Sequence, residues 1–354
     1  MKKDKSNEAF LALLRAGLWE KEVKLLPFGE IDFASVLQLA EEQSVVGLIA
    51  AGLEHVVDTN IPKKDLLQFI GQTLQLEEQN KAMNNFIGVL VAQMDAAGIF
   101  TLLVKGQGVA QCYERPLWRA CGDVDFLLSD DNYQKAKPFM GKKSTCVNPE
   151  RFYSKHKSFI VPPWSVELHG TLRTGLSERV DKEIDRVKDN TFCNRIIRFW
   201  QVKDTLVSLP EVNDDIFFVF THFVMHFYGE QLVFKQICDW CRLLWSFRDV
   251  IDMELLKNRL DRAGLMEEWC SFAALAVNYL GMPVVAMPLY SENQKWSKKA
   301  EKILTLILMS EYTCKIMRTF AISKIFPKNT ISFLPGILCH LNWLKIKERI
   351  LGQG

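Results

Sequence analysis

The sequence predicts an α+β protein in which a strand-bearing domain lies between two helical regions. Residues 7–94 carry apolar side chains at helical spacing, and so does the chain from residue 213 onward. Between these regions lie short β-rich runs bounded by glycine and proline, such as LLVKG, DVDFL and WSVELH. We therefore expect an N-terminal helical module (1–94), an α+β domain (95–205) and a C-terminal helical domain (206–354).

The N-terminal module is predicted from apolar periodicity and from helix end signals. Asp32 is a typical N-cap residue, and the pattern after it predicts a helix that continues toward Leu53. A second, long pattern runs from Lys64 to Ala97 and ends at Gly98, a residue type that commonly terminates helices. We find no candidate catalytic residues in this module.

Four short runs predict strands in the central domain. The segments 99–106 and 121–129 are short and apolar, which is typical of buried strands, and a short helix is expected between them. The segments 157–161 and 164–172 flank a Pro-Pro pair and predict a hairpin. In the last of these strands apolar and polar residues alternate, which indicates one buried face and one exposed face.

Two aspartates in the second strand are the strongest functional signal. Asp123 and Asp125 lie two positions apart, so their side chains point to one face, roughly 6–7 Å from each other. Carboxylates this close repel each other unless a hard cation such as Mg²⁺ lies between them. Glu167 lies on the polar face of the last strand, and if the two strands are neighbours, the three carboxylates could hold two divalent ions. The alternative is a set of solvated carboxylates at strand ends.

A turn with two glycines follows the first strand. Gly106 and Gly108 would let backbone N–H groups approach phosphate oxygens at the start of a helix, and Lys105 and Gln107 lie beside them. Together with the carboxylates, these are the groups that phosphoryl or nucleotidyl transfer requires.

The order of these elements resembles the nucleotidyltransferase superfamily of the DNA polymerase beta type. The Lys-Gly turn, the Arg-x-x-Gly-Asp-Val-Asp run that begins at Arg119 and the later Val-Glu-Leu-His strand are similar to the pattern of its uncharacterised bacterial branch. The resemblance covers about residues 95–245. It implies a mixed β-sheet flanked by helices, attack of an acceptor on the α-phosphorus of a nucleoside triphosphate, and release of pyrophosphate.

The resemblance also implies roles for individual residues. Asp123 and Asp125 would hold two Mg²⁺ ions, and Glu167 would hold one of them and help to deprotonate the acceptor. Gly106 would belong to the turn that binds the phosphates.

The phosphate-binding turn departs from the pattern of the superfamily. At this point the superfamily usually has Gly-Ser or Gly-Gly, whereas this chain has Gly106-Gln107-Gly108. A serine hydroxyl that would contact phosphate is therefore missing. Lys105, Gln107 or Arg119 would have to supply the contact, although a salt bridge to a neighbouring acid is an alternative role for Arg119.

Five further side chains are candidates for the nucleotide site, each with a structural alternative. His169 shares the face of the third carboxylate and could bind it or a phosphate, or could be only a strand-edge residue. His222 and His226 lie one helical turn apart, which fits a pocket wall, satisfied buried histidines or part of a zinc site. Lys235 and Asp239 are four apart and could face the cleft or form an ion pair on a helix surface.

Composition and charge bear on which partners we expect and on the cellular location of the protein. The formal net charge of +2 gives no global electrostatic case for nucleic-acid or membrane binding. We find no uncharged apolar run that approaches the ~20 residues needed to span a bilayer. Nine irregularly spaced cysteines without a recognisable secretory leader predict reduced thiols and a cytoplasmic protein.

The sequence thus predicts a magnesium-dependent nucleotidyltransferase. It would move a nucleoside monophosphate from a nucleoside triphosphate such as ATP to a hydroxyl or amine acceptor. One alternative, to which Gln107 points, is a catalytically inactive nucleotide-binding or regulatory protein of the same fold. A second alternative is a metal-dependent phosphohydrolase.

Overall fold

A computed structural model describes residues 5–151, 153–229, 231–308 and 315–335 of the chain. The outer ends of the first and third predicted regions lie outside these residues. The fold class is α+β, as predicted. A mixed sheet is preceded and followed in the sequence by helical regions.

The N-terminal region contains four α-helices. Their bounds are α1 Lys5–Trp19, α2 Phe33–Glu42, α3 Val46–Glu54 and α4 Lys63–Ala96. Asp32 caps α2, since its Oδ1 accepts a hydrogen bond from the Ala34 backbone N–H at 3.1 Å. The expectation that this helix continues to Leu53 is wrong, because the chain turns at Ser44, whose φ of 55° is left-handed. Gly98, with φ of 67°, follows the end of the long α4 as expected.

The central sheet has five strands in the order β1-β2-β5-β4-β3. The elements of this region are β1 Leu102–Val104, α5 Gly106–Ala110, β2 Asp123–Leu127, α6 Asp130–Gly141, β3 Cys146–Val147, β4 His156–Val161 and β5 Trp164–His169. Strands β2 and β5 are parallel, whereas the other neighbouring pairs are antiparallel. The sheet is therefore mixed, and the predicted hairpin is formed by β4 and β5.

The pairing of β2 with β5 determines which side chains share a face. Asp125 lies opposite Glu167 in the register. Val124, Phe126, Val166 and Leu168 point to the other face and are at most 1% exposed, in a core that also contains Met83 and Ile87 of α4. Burying these apolar side chains, each worth about 1.5–3 kcal/mol, holds the polar face of both strands in place.

Two elements between the sheet and the C-terminal helices were not predicted from the sequence. They are the helix α7 Glu178–Asn194 and a separate two-stranded sheet, β6 Ile197–Val202 with β7 Thr205–Pro210. The hairpin lacks a simple alternating pattern, since Phe199 and Leu206 are more than half exposed. The boundary predicted at 205/206 falls within β7, and the three-part division of the chain stays a prediction.

The C-terminal region is helical. Its α-helices are α8 Val212–Gly229, α9 Phe234–Ser246, α10 Met253–Ala263, α11 Met266–Leu280, α12 Gln294–Leu308 and α13 Lys315–Ser323. Helix α8 is buried nearly all round, as its apolar sequence predicts, and Phe220 and Phe223 pack against Trp240 of α9. None of the helices in the described ranges has the length and apolar content that a bilayer-spanning segment requires.

Helices α1 and α3 pack so closely that glycine is required where they meet. A Cβ atom at Gly52 would lie 2.1 Å from the carbonyl oxygen of Leu13, and one at Gly17 would lie 1.8 Å from that of Leu48. Both clashes involve backbone atoms, which cannot rotate away. The two helices must therefore separate if either glycine gains a side chain.

We expect the substitution Gly52→Ala to destabilise the protein by about 1–3 kcal/mol or more, because the added methyl group overpacks the α1–α3 contact. The measurement is the free energy of unfolding from denaturant titration. Gly71→Ala in α4 is the matched control, since a Cβ there meets no atom within 4 Å. The control should stabilise the protein by up to about 1 kcal/mol through helix propensity. Equal effects of the two substitutions would contradict the close contact.

Candidate active site

A cleft of about 910 Å³ opens on the polar face of the central sheet. Sites for small ligands typically have volumes of about 300–1,000 Å³. Strands β2, β4 and β5 form one side of the cleft, and helices α8 and α9 form another. The residues predicted for the site that line it are Lys105, Gly106, Arg119, Asp123, Asp125, Glu167, His169, His222, His226, Lys235 and Asp239.

The three predicted carboxylates meet in this cleft. One ligand oxygen from each of Asp123, Asp125 and Glu167 lies within 4.8 Å of the other two. Oxygen donors in this arrangement suit a hard divalent cation, because the ligands of an octahedral Mg²⁺ ion at about 2.1 Å are about 3–4 Å apart. The donor set therefore fits a divalent metal.

Asp125 is held as a carboxylate by two neighbours. Its Oδ1 lies 3.2 Å from Lys105 Nζ and 2.7 Å from His169 Nε2, and the residue is only 4% exposed. Burial alone would raise the pKa of Asp125, but the Lys105 ammonium and the hydrogen bond with His169 hold it below its usual value. Asp125 is therefore ionised at neutral pH.

The other two carboxylates have different environments. The pKa of Asp123 is raised, first by the charge of Asp125 and then by burial. Burial raises the pKa of Glu167, but a 2.9 Å hydrogen bond with His156 Nε2, together with the charges of His169 and His156, leaves the pKa lowered. The repulsion within the cluster therefore acts mainly on Asp123. A bound cation would remove this repulsion.

Lys105 reaches the carboxylates from a left-handed turn. Its φ is 57° and that of Gly106 is 41°, at the point where β1 ends and α5 begins. A non-glycine residue in this conformation is uncommon and is typical of functional sites. Burial would lower the pKa of Lys105, but Asp125, Glu167 and Asp123 together raise it, so that the ammonium stays charged.

Gln107 and Gly108 do not face the cleft. The Gln107 side chain is 1% exposed, and its Nε2 donates to Asn80 Oδ1 of α4 at 2.6 Å. A Cβ atom at Gly108 would lie 2.9 Å from a methyl group of Leu209, so this glycine allows β7 to pack on α5. The first turn of α5 directs both residues into the core.

Arg119 forms a buried ion pair with Asp239 of α9. The guanidinium donates from Nε at 2.9 Å and from Nη2 at 2.6 Å to the two carboxylate oxygens, and the Tyr113 hydroxyl donates to Asp239 Oδ1 at 2.7 Å. Burial would lower the pKa of Arg119, but the charge of Asp239 raises it. The pair joins the segment before β2 to α9, and Asp239 therefore binds Arg119 instead of the predicted helix neighbour Lys235.

Lys235 and the two histidines of α8 form the helical side of the cleft. His226 Nε2 lies 3.1 Å from His222 Nε2. The pKa of His222 is well below its usual value because of burial, followed by the charges of Lys105 and His226, so the ring is neutral. Burial, followed by the charge of Arg119, lowers the pKa of Lys235, whose side-chain ammonium has no hydrogen bond or ion pair within the described ranges.

Several cleft residues were not predicted from the sequence. They are His156, which precedes the apolar part of β4, and the loop residues Arg151, Tyr153, Ser154, Arg173 and Thr174. His156 could have been found from the predicted hairpin, because the pairing of its two strands places His156 opposite His169. The loop residues follow no periodic pattern, and only the tertiary structure brings them to the cleft.

Comparison with protein-family models identifies the family of this chain. The model of a family described as an uncharacterised nucleotidyltransferase matches residues 29–281, a range that holds the sheet and every predicted site residue. A search of curated proteins found no match, and neither did a search of solved structures. The match covers more than half of the chain, from α2 to α11. The chain therefore belongs to the uncharacterised nucleotidyltransferase family and is an enzyme of the nucleotidyltransferase class.

Proposed function

We propose that the protein transfers a nucleoside monophosphate from a nucleoside triphosphate, with ATP as the first donor to test, to a hydroxyl or amine of an acceptor. The observation that carries the proposal is the convergence of Asp123, Asp125 and Glu167 within 4.8 Å of one another in the cleft. In a chain of the nucleotidyltransferase family, this arrangement is the one that a metal-bound triphosphate requires. We also propose that the protein is cytoplasmic, as its sequence predicts.

The carboxylates are the metal ligands in this proposal. Asp123 and Asp125 would hold the ions, for which we propose two Mg²⁺, and Glu167 would hold one of them. When bound, the ions supply Lewis-acid polarisation of the phosphate oxygens. Lys105 and His169 both contact Oδ1 of Asp125, so they fix the orientation of this carboxylate before any ligand enters.

Glu167 is the group that would take the proton from the acceptor. It is ionised, because the hydrogen bond with His156 lowers its pKa, and it lies beside the two aspartates. His156 would also keep the Glu167 carboxylate in one orientation, which a general base requires. His169, 3.6 Å from Glu167 Oε2, supports the same orientation.

We propose that Lys235 makes the phosphate contact for which this chain has no serine. Gln107 is turned into the core, Arg119 is bonded to Asp239, and Lys105 is bonded to Asp125. Lys235 lines the cleft without an ion-pair partner within the described part of the chain, at a position where its charge interacts with Asp123. A triphosphate would supply the missing anion. The neutral His222 ring and the neighbouring His226 would form the wall beside it.

The helices after the central domain have a defined part in this proposal. They supply His222, His226, Lys235 and Asp239 from α8 and α9 to the cleft. We propose that this helical side covers the nucleotide and contributes the contacts to the acceptor.

We expect Asp125→Asn to abolish turnover. The substitution removes the charge that anchors Lys105 and the metal, and the loss of several kcal/mol of transition-state stabilisation lowers the rate at least about 100-fold. The measurement is pyrophosphate release from labelled nucleoside triphosphates with Mg²⁺ and a broad acceptor set, repeated with excess chelator. The chelator should also stop turnover.

Asp249→Asn is the matched control, because this aspartate is 83% exposed and lies outside the cleft. Its turnover should equal that of the unmodified chain. Release of free phosphate instead of pyrophosphate would favour a phosphohydrolase. Binding without turnover would favour a nucleotide-binding regulatory protein, and unchanged turnover in Asp125→Asn would contradict the proposal outright.

We expect Lys235→Ala to weaken donor binding about 10-fold to 100-fold, because one hydrogen bond to a charged group is worth about 1.5–3 kcal/mol. The measurement is the KM for the nucleoside triphosphate, with kcat recorded in parallel. Lys257→Ala is the control, since Lys257 is an exposed residue of α10 paired with Asp261. An unchanged KM in Lys235→Ala would assign the phosphate contact to another residue.

A further inference from the structure

His156, Glu167 and His169 form a second group of potential metal ligands on the same face of the sheet. One ligand atom from each lies within 4.8 Å of the other two. The β4–β5 pairing places His156 directly opposite His169, and Glu167 lies two positions before His169 on β5, so the three side chains share a face. The two imidazole rings are stacked, with centroids 4.8 Å apart.

The distances within this group match those of a coordination sphere. His156 Nε2 lies 2.9 Å and His169 Nε2 lies 3.6 Å from the same oxygen, Glu167 Oε2. Ligand atoms of a tetrahedral Zn²⁺ ion, with bonds of about 2.0–2.1 Å, are about 3.3 Å apart. The two separations from Glu167 Oε2 bracket this value, and the ligand atoms of the two histidines lie within 4.8 Å of each other.

The donor chemistry differs from that of the aspartate cluster. Imidazole nitrogen is a poor ligand for Mg²⁺, which prefers oxygen, but it is a preferred ligand for zinc and other first-row transition ions. Two histidines and one carboxylate form a set that is found in zinc enzymes. The cleft thus presents oxygen donors on β2 and a mixed nitrogen and oxygen set on β4 and β5.

We propose that His156, Glu167 and His169 form a binding site for a transition-metal ion, with Zn²⁺ as its probe, that shares Glu167 with the magnesium site and takes His169 Nε2 from its hydrogen bond with Asp125 Oδ1. An ion bound to the histidines occupies the carboxylate that the magnesium site also needs. Zn²⁺ therefore inhibits turnover supported by Mg²⁺, and excess Mg²⁺ does not relieve the inhibition because the histidines retain the ion. This consequence rests on the proposed function, whereas retention of Zn²⁺ does not.

The test is retention of Zn²⁺ by the full chain during dialysis against a large excess of Mg²⁺, followed by determination of the metal content. We expect one zinc ion per chain to remain. His156→Asn should lower the Zn²⁺ affinity at least about tenfold, because it removes a ligand. Two variants should retain the ion: Asp123→Asn, which alters only the aspartate cluster, and His222→Asn, which removes the histidine pair of α8.

His55→Asn is the matched control for the substitution itself. His55 also bonds a carboxylate, Glu20, at 2.7 Å, but it lies outside the cleft. Zinc retention in this variant should equal that of the unmodified chain, and circular dichroism should show that each variant is folded.

X-ray absorption spectroscopy of the zinc-loaded unmodified chain gives a result that needs no variant. We expect two imidazole nitrogens in the first coordination sphere. A sphere of oxygen atoms alone, loss of the ion to Mg²⁺, or loss in His222→Asn but not in His156→Asn would each overturn the site. Pyrophosphate release with Mg²⁺ alone would still stand in those cases, so the failure of this inference is distinguishable from failure of the proposed function.

Discussion

The repulsion among three carboxylates confined to one cleft is the constraint on which the rest of the site depends. At separations of 4.8 Å or less and an effective dielectric constant of about 20, each pair of charges costs at least about 3 kcal/mol. The protein offsets part of this cost with Lys105 and His169, which both bind Oδ1 of Asp125. The raised pKa of Asp123 shows that the compensation is incomplete. A divalent cation would complete it, and in the proposed function the same cation would fix a triphosphate beside Glu167.

The core of the protein holds these charges together. The apolar faces of β2 and β5 pack toward α4, and this packing prevents the polar faces from separating. The Arg119–Asp239 pair attaches the segment before β2 to α9, which carries Lys235. Breaking such a buried pair from one side typically costs about 3–5 kcal/mol, so sheet and helices keep one relative position. In the proposed function, Lys235 on α9 and the carboxylates on β2 would therefore act on a single ligand.

Sequence patterns predicted which carboxylates lie on polar faces of the sheet. They did not predict the side-chain contacts around the site. The two-residue alternation in β2 and β5 was sufficient to place Asp123, Asp125 and Glu167 on polar faces, and only the parallel pairing of the strands was left conditional. The inward turn of Gln107 was not predictable, because its partner Asn80 lies on a helix 27 residues earlier. The positive φ of Lys105 likewise depends on tertiary packing. His156 was missed because the predicted strand began one residue after it, whereas β4 begins at His156.

Binding of a nucleotide through carboxylate-bound metal makes its affinity depend on Mg²⁺. Isothermal titration of the full chain with a non-hydrolysable nucleoside triphosphate, with and without Mg²⁺, separates binding from turnover. If the carboxylates bind the triphosphate through the metal, tight binding should appear only with Mg²⁺, because without it the carboxylates and the phosphates repel each other. Equal affinity in the two conditions, or no binding of any nucleoside triphosphate, would contradict the assignment of this cleft.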